Sequence, residues 1–346
     1  MAMSTSQPVE ATEHPGTTEA ETLTPALSTG SHRFPGVLGV RGLFRYGIVW
    51  AAVVAVVAAS LLSGSFLTTS NIQNVLTQNA ALALVALGLT FVMIGGGFDL
   101  SSGPLVGACS VVAAVLANDT PTPVAVVVTI VVGALAGAVN GILVTAFRIN
   151  AFVATLATGS VFTGLALLYT GSRSVFVTNS SFNNLGLSSV LGVRTIVVLV
   201  AALYLIGALV LAKSVFGRAL YAVGGGEVSA RLAGLRVNLT KALTFVIVGA
   251  ACGVGGVIFA ALLTSGTPST GSSITLDAIT VVIIGGTSMF GGSGAVWRTA
   301  VGLVLVATVT NVYDLLAINS AWQLVTKGFL LVAAVGLDYL TSRKRA

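Results

Sequence analysis

Charge is what this chain has least of. Only 8% of its 346 residues are Asp, Glu, Lys or Arg, too few to coat a soluble domain of that length. The other scarcities exclude functions one by one. Histidine occurs twice, at His14 and His32, with no second group of ligands nearby, so a metal site is not supported. Cysteine also occurs twice, and both Cys109 and Cys252 sit inside apolar runs, where a thiol acts as a small apolar side chain. No Gly-x-x-x-x-Gly-Lys-Ser/Thr run occurs, so the chain cannot cradle ATP phosphates in the Walker manner. No series of Asp, Glu, His and Lys crosses the apolar runs, which argues against a proton-coupled carrier. An intramembrane enzyme needs a nucleophile and a base at one depth. Both histidines lie in the polar leader, and the charge pattern places Asp99 and Asp277 on opposite sides.

What is present is apolar: 55% hydrophobic residues, 41 glycines and a mean hydropathy of +1.01. These values describe an all-α polytopic membrane protein. The net charge of +6 could suggest nucleic acid, but the basic residues gather at the ends of apolar runs and in short loops, as topology signals do. Residues 1–35 are rich in Ser, Thr, Glu and Pro and read as a disordered cytosolic tail; 36–346 form the membrane domain. Within it the apolar runs give about ten spans with both termini cytosolic. They are Tyr46–Leu67, Ile72–Gly96, Leu105–Leu116, Val124–Phe147, Ala151–Thr170, Thr195–Ala212, Ala242–Leu263, Thr275–Phe290, Thr299–Val312 and Ala321–Leu340. Asp119, the stretch Gly171–Arg194, the turn Thr264–Ser273 and Asp314 fall outside; Arg148, the loop 213–241 and Arg298 fall inside. The second-to-fifth and seventh-to-tenth spans start on opposite sides and are candidate inverted repeats. Thr90–Gly96 resembles Thr280–Gly286, but the two do not occupy equivalent places in the span order.

Three polar stretches interrupt the apolar pattern. At the head of the second span, Asn71, Gln73, Asn74, Gln78 and Asn79 need partners or a wet cavity, so that face points into the bundle or its pathway. Gly95–Pro104 is a broken-helix junction, in which Asp99 or Ser101 caps the next helix; alternatively Asp99, Ser101 and Ser102 help to form a gate. The loop 213–241 carries five cations against the single acid Glu227. Its Gly224–Gly226 breaks the backbone before a short helix, Glu227–Leu235, with Glu227 and Arg231 one turn apart. Ala230, Ala233 and Gly234 give that helix a thin surface, suited either to docking into another protein or to resting at the lipid headgroups.

Gly97-Phe-Asp-Leu-Ser-Ser-Gly103 resembles the Gly-x-Asp-Leu-Ser-x-Gly signature of monosaccharide ABC importer permeases of the ribose, xylose and arabinose type. Tyr221–Leu235 resembles that family's cytosolic coupling segment, and Leu276–Ile279 through Gly285–Ser288 with Gly291-Gly292 resembles its late glycine-rich stretch. Phe98, Ser102 and Gly226 depart from the residues common there, without removing a charge. The resemblance implies a permease without enzymatic activity or cofactor of its own, paired with a second permease copy. ATP would bind a separate cytosolic ATPase subunit, and an extracytoplasmic sugar-binding protein would deliver the solute. Membrane lipid is the surrounding partner and nucleic acid is none. Glu227, Ala230, Arg231 and Gly234 would meet the ATPase, and Gln78, Asn79, Asp99, Ser101 and Ser102 would line the pathway or gate. The alternative solutes are nucleosides, branched-chain amino acids or a signalling sugar.

Overall fold

The computed structural model describes residues 47–343, with side chains to 336; the tail reading over 1–35 lies outside the described residues. The described chain is mostly helical. Its helices are α1 Gly47–Leu62, α2 Thr69–Gln78, α3 Ala80–Ile94, α4 Ser102–Asp119, α5 Thr122–Thr145, α6 Ala151–Thr170, α7 Ser180–Leu187, α8 Thr195–Lys213, α9 Val215–Gly225, α10 Glu227–Leu232, α11 Val237–Leu262, α12 Ile274–Ile284, α13 Val296–Leu315 and α14 Ser320–Arg343. Six of them (α4, α5, α6, α8, α11 and α13) are long and apolar enough to cross a membrane, seven with the bent pair α2–α3. Shorter apolar helices stand where the first, eighth and tenth spans were expected.

All 15 residues of α3 are buried, which is why its sequence, AALALVALGLTFVMI, is apolar on every side. It is the axis of the core. Beside it α5 and α11 meet backbone to backbone through two small-residue pairs, Gly133 with Gly137 and Gly249 with Gly253. A Cβ on Gly133 would lie 2.9 Å from the Gly253 nitrogen, so any larger residue must push the helices apart. The tight packing expected of the glycine-studded seventh span is therefore present.

Four expectations change. The second span is not continuous: α2 and α3 meet at 50° at Asn79, whose side-chain amide donates to the Val75 carbonyl (2.8 Å). The stretch after Gly171, expected as one long loop, instead carries β1 (Val175–Phe176), α7 and a hairpin of β2 (Ser189–Val190) and β3 (Val193–Arg194). The hairpin turns through Leu191 and Gly192, both at positive φ, the geometry a two-residue hairpin requires. The stretch Thr264–Ser273 is not a simple outer turn. Its β4 (Ser265–Gly266) pairs with β1, and the chain then descends along α4: the Thr267 amide donates to Ser110 Oγ (3.2 Å), Pro268 lies on Gly107, and Gly271 lies on Gly103. The eighth span thus follows a run of tight turns, with Thr270 N on Thr267 O and Ser272 N on Ser269 O, that leads into the 11-residue helix α12. Irregular backbone at this depth persists because protein groups satisfy it. The same descent corrects the separation of Asp99 from Asp277. Thr275, two residues before Asp277, bonds directly to the junction that carries Asp99.

Candidate functional site

The α3–α4 junction is a buried polar knot. Asp99 is 1% exposed, and its Oδ1 accepts from the Ser101 amide (2.8 Å) and the Ser101 hydroxyl (2.6 Å). Ser101 Oγ in turn accepts from Asn140 Nδ2 (2.7 Å) of α5, and Asn140 Oδ1 accepts from the Thr158 hydroxyl (2.6 Å) of α6. Asp99 Oδ2 is buried without a hydrogen-bond partner among the described residues. Asp99 therefore closes a local turn onto Ser101, the residue before α4, and accepts none of the helix's own first-turn amides. Ser101 serves the network instead of capping. A first-turn amide of α4, Gly103 N, is taken by Thr275 Oγ1 (2.8 Å) at the start of α12, so a side-chain acceptor for this helix end comes from the far half of the chain. Ser102 Oγ faces the same hydroxyl at 3.3 Å. Leu100 N is held by Thr155 Oγ1 (2.9 Å).

Three glycine turns meet below this knot. α3 ends with Gly96 at φ +75°, where Gly96 N reaches Met93 O and Gly97 N reaches Val92 O, both at 2.9 Å. α12 ends the same way, with Gly286 at φ +80°, Gly286 N to Ile283 O and Thr287 N to Val282 O. These are Schellman caps. The likeness of Thr90–Gly96 to Thr280–Gly286 therefore extends to cap geometry. It relates two helix ends that are joined through Gly291 and Gly292, not the opposite ends an inverted pair would relate. A few residues beyond the α12 cap comes the second of the three meeting turns, Gly291-Gly292, where Gly292 N donates to Ile94 O (2.9 Å) and ties the loop before α13 to the end of α3. The third turn is Gly224–Gly226. A Cβ on Gly224 would overlap the Ile94 carbonyl oxygen and come within 2.6 Å of Gly292 N, so α9 sits flush on both other turns. Tyr221 of α9 adds a bond from its hydroxyl to Gly294 O (2.7 Å). Burial pushes the Tyr221 phenol up from its ordinary range, against the opposing effect of Arg298.

The loop 213–241 therefore holds two helices, of which only the second was expected, and α10 ends at Leu232, not Leu235. Gly234, at φ +80°, closes it with a third Schellman cap, Leu235 N to Ala230 O. Ala230 is buried with Val223 and Val237, so it fastens α10 inward. The exposed face is Val228 (74%), Arg231 and Leu232 (85%). Glu227 forms its ion pair with Lys241 of α11, not with Arg231.

Gln78 and Asn79 are at the other end of α3, about 22 Å away at 1.5 Å per residue, so the expected pathway residues form two groups. Gln78 is exposed. In the outer group Asn71 and Asn311 exchange two side-chain amide bonds (2.8 and 3.0 Å), and Gln73 Nε2 donates to Gly192 O (2.6 Å). Sequence reasoning missed Asn140 and Lys327. Lys327 Nζ of α14 lies 2.8 Å from Asp277 Oδ2 of α12, both largely shielded. A lone lysine in an apolar run was the available signal; Asn140 left none that distinguishes it from other amides. Among the described residues no three of His, Cys, Asp and Glu could hold a metal ion.

Membrane-length helices around one buried axis, broken where polar groups cluster, define a polytopic membrane transport protein. The chain belongs to the family described as branched-chain amino acid transport system / permease component, matched over residues 71–335. It is 36% identical over 308 residues to the ribose import permease of Bacillus subtilis, covering 88% of this chain and 94% of that one. It is 34% identical to the L-arabinose transport system permease of Escherichia coli K12 (87% and 92% covered). To the D-allose transport system permease of the same strain it is 33% identical (86% and 93% covered). No solved structure matches significantly.

Proposed function

We propose that this chain is the inner-membrane permease of an ATP-binding cassette importer and provides the path for a monosaccharide. A separate ATPase supplies the energy, an extracytoplasmic binding protein delivers the sugar, and two permease copies, identical or related, enclose the path. The observation that carries this reading is the seat of α9: Gly224 fits against Ile94 at the end of α3 and Gly292 before α13, so a push on the cytosolic loop reaches two spans at once. The exposed Val228, Arg231 and Leu232 of α10 supply a small apolar face with a charged rim for the ATPase. The named relatives favour sugar over the branched-chain amino acids in the family's description, because the ribose, allose and arabinose permeases match nearly end to end.

Co-expression with the partner subunits and uptake of labelled pentoses, hexoses and leucine tests the solute. Sugar uptake is expected, and leucine uptake without sugar uptake overturns the assignment. Leu232→Asp is expected to abolish co-purification of the ATPase while leaving the permease inserted. Glu227→Gln is expected to be mild, since an exposed pair is worth about 0.2–1 kcal/mol. Full ATPase recovery with Leu232→Asp removes α10 from the interface.

A further inference from the structure

A cavity of about 660 Å³ opens between α3, α8 and α11. Only three of the 19 residues of α8 are buried, namely Ile196, Gly207 and Leu211; it touches α3 at Gly207 on Leu87 and through Tyr204 to Ala83 O (2.9 Å), and leaves the groove beside these contacts. One hydroxyl, that of Thr195 at the outer mouth, is the sole polar side-chain group in the wall. Water needs two to four polar partners to occupy such a space and finds too few. A flexible hydrocarbon chain fits.

The face of α8 that lines the cavity says which end carries the headgroup. Ile196, Leu199, Leu203, Ile206 and Val210 recur every three or four residues, and the next position on that stripe is Lys213. Arg218 joins the same corner, its Nη1 donating to the Lys213 carbonyl oxygen (3.2 Å). Both side chains are exposed, and neither has an acidic partner among the described residues. At the outer end the Arg194 guanidinium is already engaged by Gly186 O (3.2 Å).

We propose that this cavity binds one anionic phospholipid of the cytosolic leaflet, an acyl chain in the groove and the phosphate at Lys213 and Arg218. The bound lipid props α8 against α3 at the point where α8 passes into α9 through Ser214 alone. The proposal depends on the membrane placement and not on the identity of the solute.

The test uses the full chain in nanodiscs of phosphatidylcholine with and without phosphatidylglycerol, followed by native mass spectrometry of lipid retained per chain. One phosphatidylglycerol is expected in preference to phosphatidylcholine. Lys213→Gln with Arg218→Gln should weaken that retention roughly 30-fold, at about a factor of five per cation near an anionic headgroup. Ala250→Phe, placed in the cavity wall, should expel lipid of either headgroup. Equal retention of the two lipids, or unchanged retention in the double Gln variant, overturns the proposal; the double variant changes exposed positions only, so it stays informative if Ala250→Phe fails to fold. Efficient disulfide cross-linking between copies through Leu199→Cys would put protein in the groove and overturn it as well.

Discussion

Thr275→Val is the sharpest probe of how the two halves of the chain hold together. The substitution keeps the shape of a 6% exposed side chain and deletes one hydroxyl. That hydroxyl accepts from Gly103 N at 2.8 Å and faces Ser102 Oγ and Leu100 O at 3.3 and 3.4 Å. Two magnitudes compete. Side-chain hydrogen bonds between membrane helices average only about 0.6 kcal/mol and reach about 1.7, because the unfolded reference also finds partners. An orphaned buried amide costs about 1–3 kcal/mol. Gly103 N belongs to the first turn of α4 and has no intrahelical acceptor, and Gly271 packs against its residue too closely to admit water. The orphaning cost therefore dominates, and a loss of about 1–2 kcal/mol is expected. Thr275→Ser keeps the hydroxyl and loses one buried methyl, about 0.8 kcal/mol. Thermal unfolding of the detergent-purified protein, followed by loss of the monodisperse peak, compares them: Val should fall furthest and Ser should lie between. If Val matches the parent, or Ser is as damaged as Val, the hydroxyl does not cap α4 and the reasoning is wrong.

Gly249→Leu is expected to abolish folded, membrane-inserted protein, because its Cβ would overlap the Gly133 carbonyl of α5; Gly164→Ala, with open space around it, should express as the parent does. Equal expression of both would show that the α5–α11 contact is not close. Cysteine at Ser181 should react with an impermeant thiol reagent on intact cells, whereas cysteine at Ser229 should react only after lysis; both positions are exposed. Labelling of position 229 from outside would reverse the orientation drawn from the basic loop.

The reach of the sequence follows from which physical constraints are local. Sparse charge and long apolar runs mark a helical membrane protein because the bilayer forces every backbone group to be satisfied within a segment. For the same reason the breaks at Gly95–Gly97 and Gly224–Gly226 were visible: glycine at these positions serves left-handed turns and close approach, and both show in composition. The glycines of the seventh span likewise announced tight packing. What the sequence could not show is which groups complete one another over long separations. Thr275 caps α4 from 172 residues away, Asn140 bridges Ser101 and Thr158, and Glu227 chooses Lys241 over the nearer Arg231. Hydropathy could not show that α12 is preceded by a run of turns, since Thr264–Ser273 is held by its pairing with β1 and by lying along α4. Nor could helical spacing tell that Ala230 faces inward, because a small residue suits a docking face and a packing face equally. The sequence alone determined the membrane class, the apolar cores of the six membrane-length helices and the positions of the glycine breaks. Tertiary structure alone decided that the three glycine turns converge, since a carbonyl such as Ile94 O can accept Gly292 N only once the two ends lie side by side.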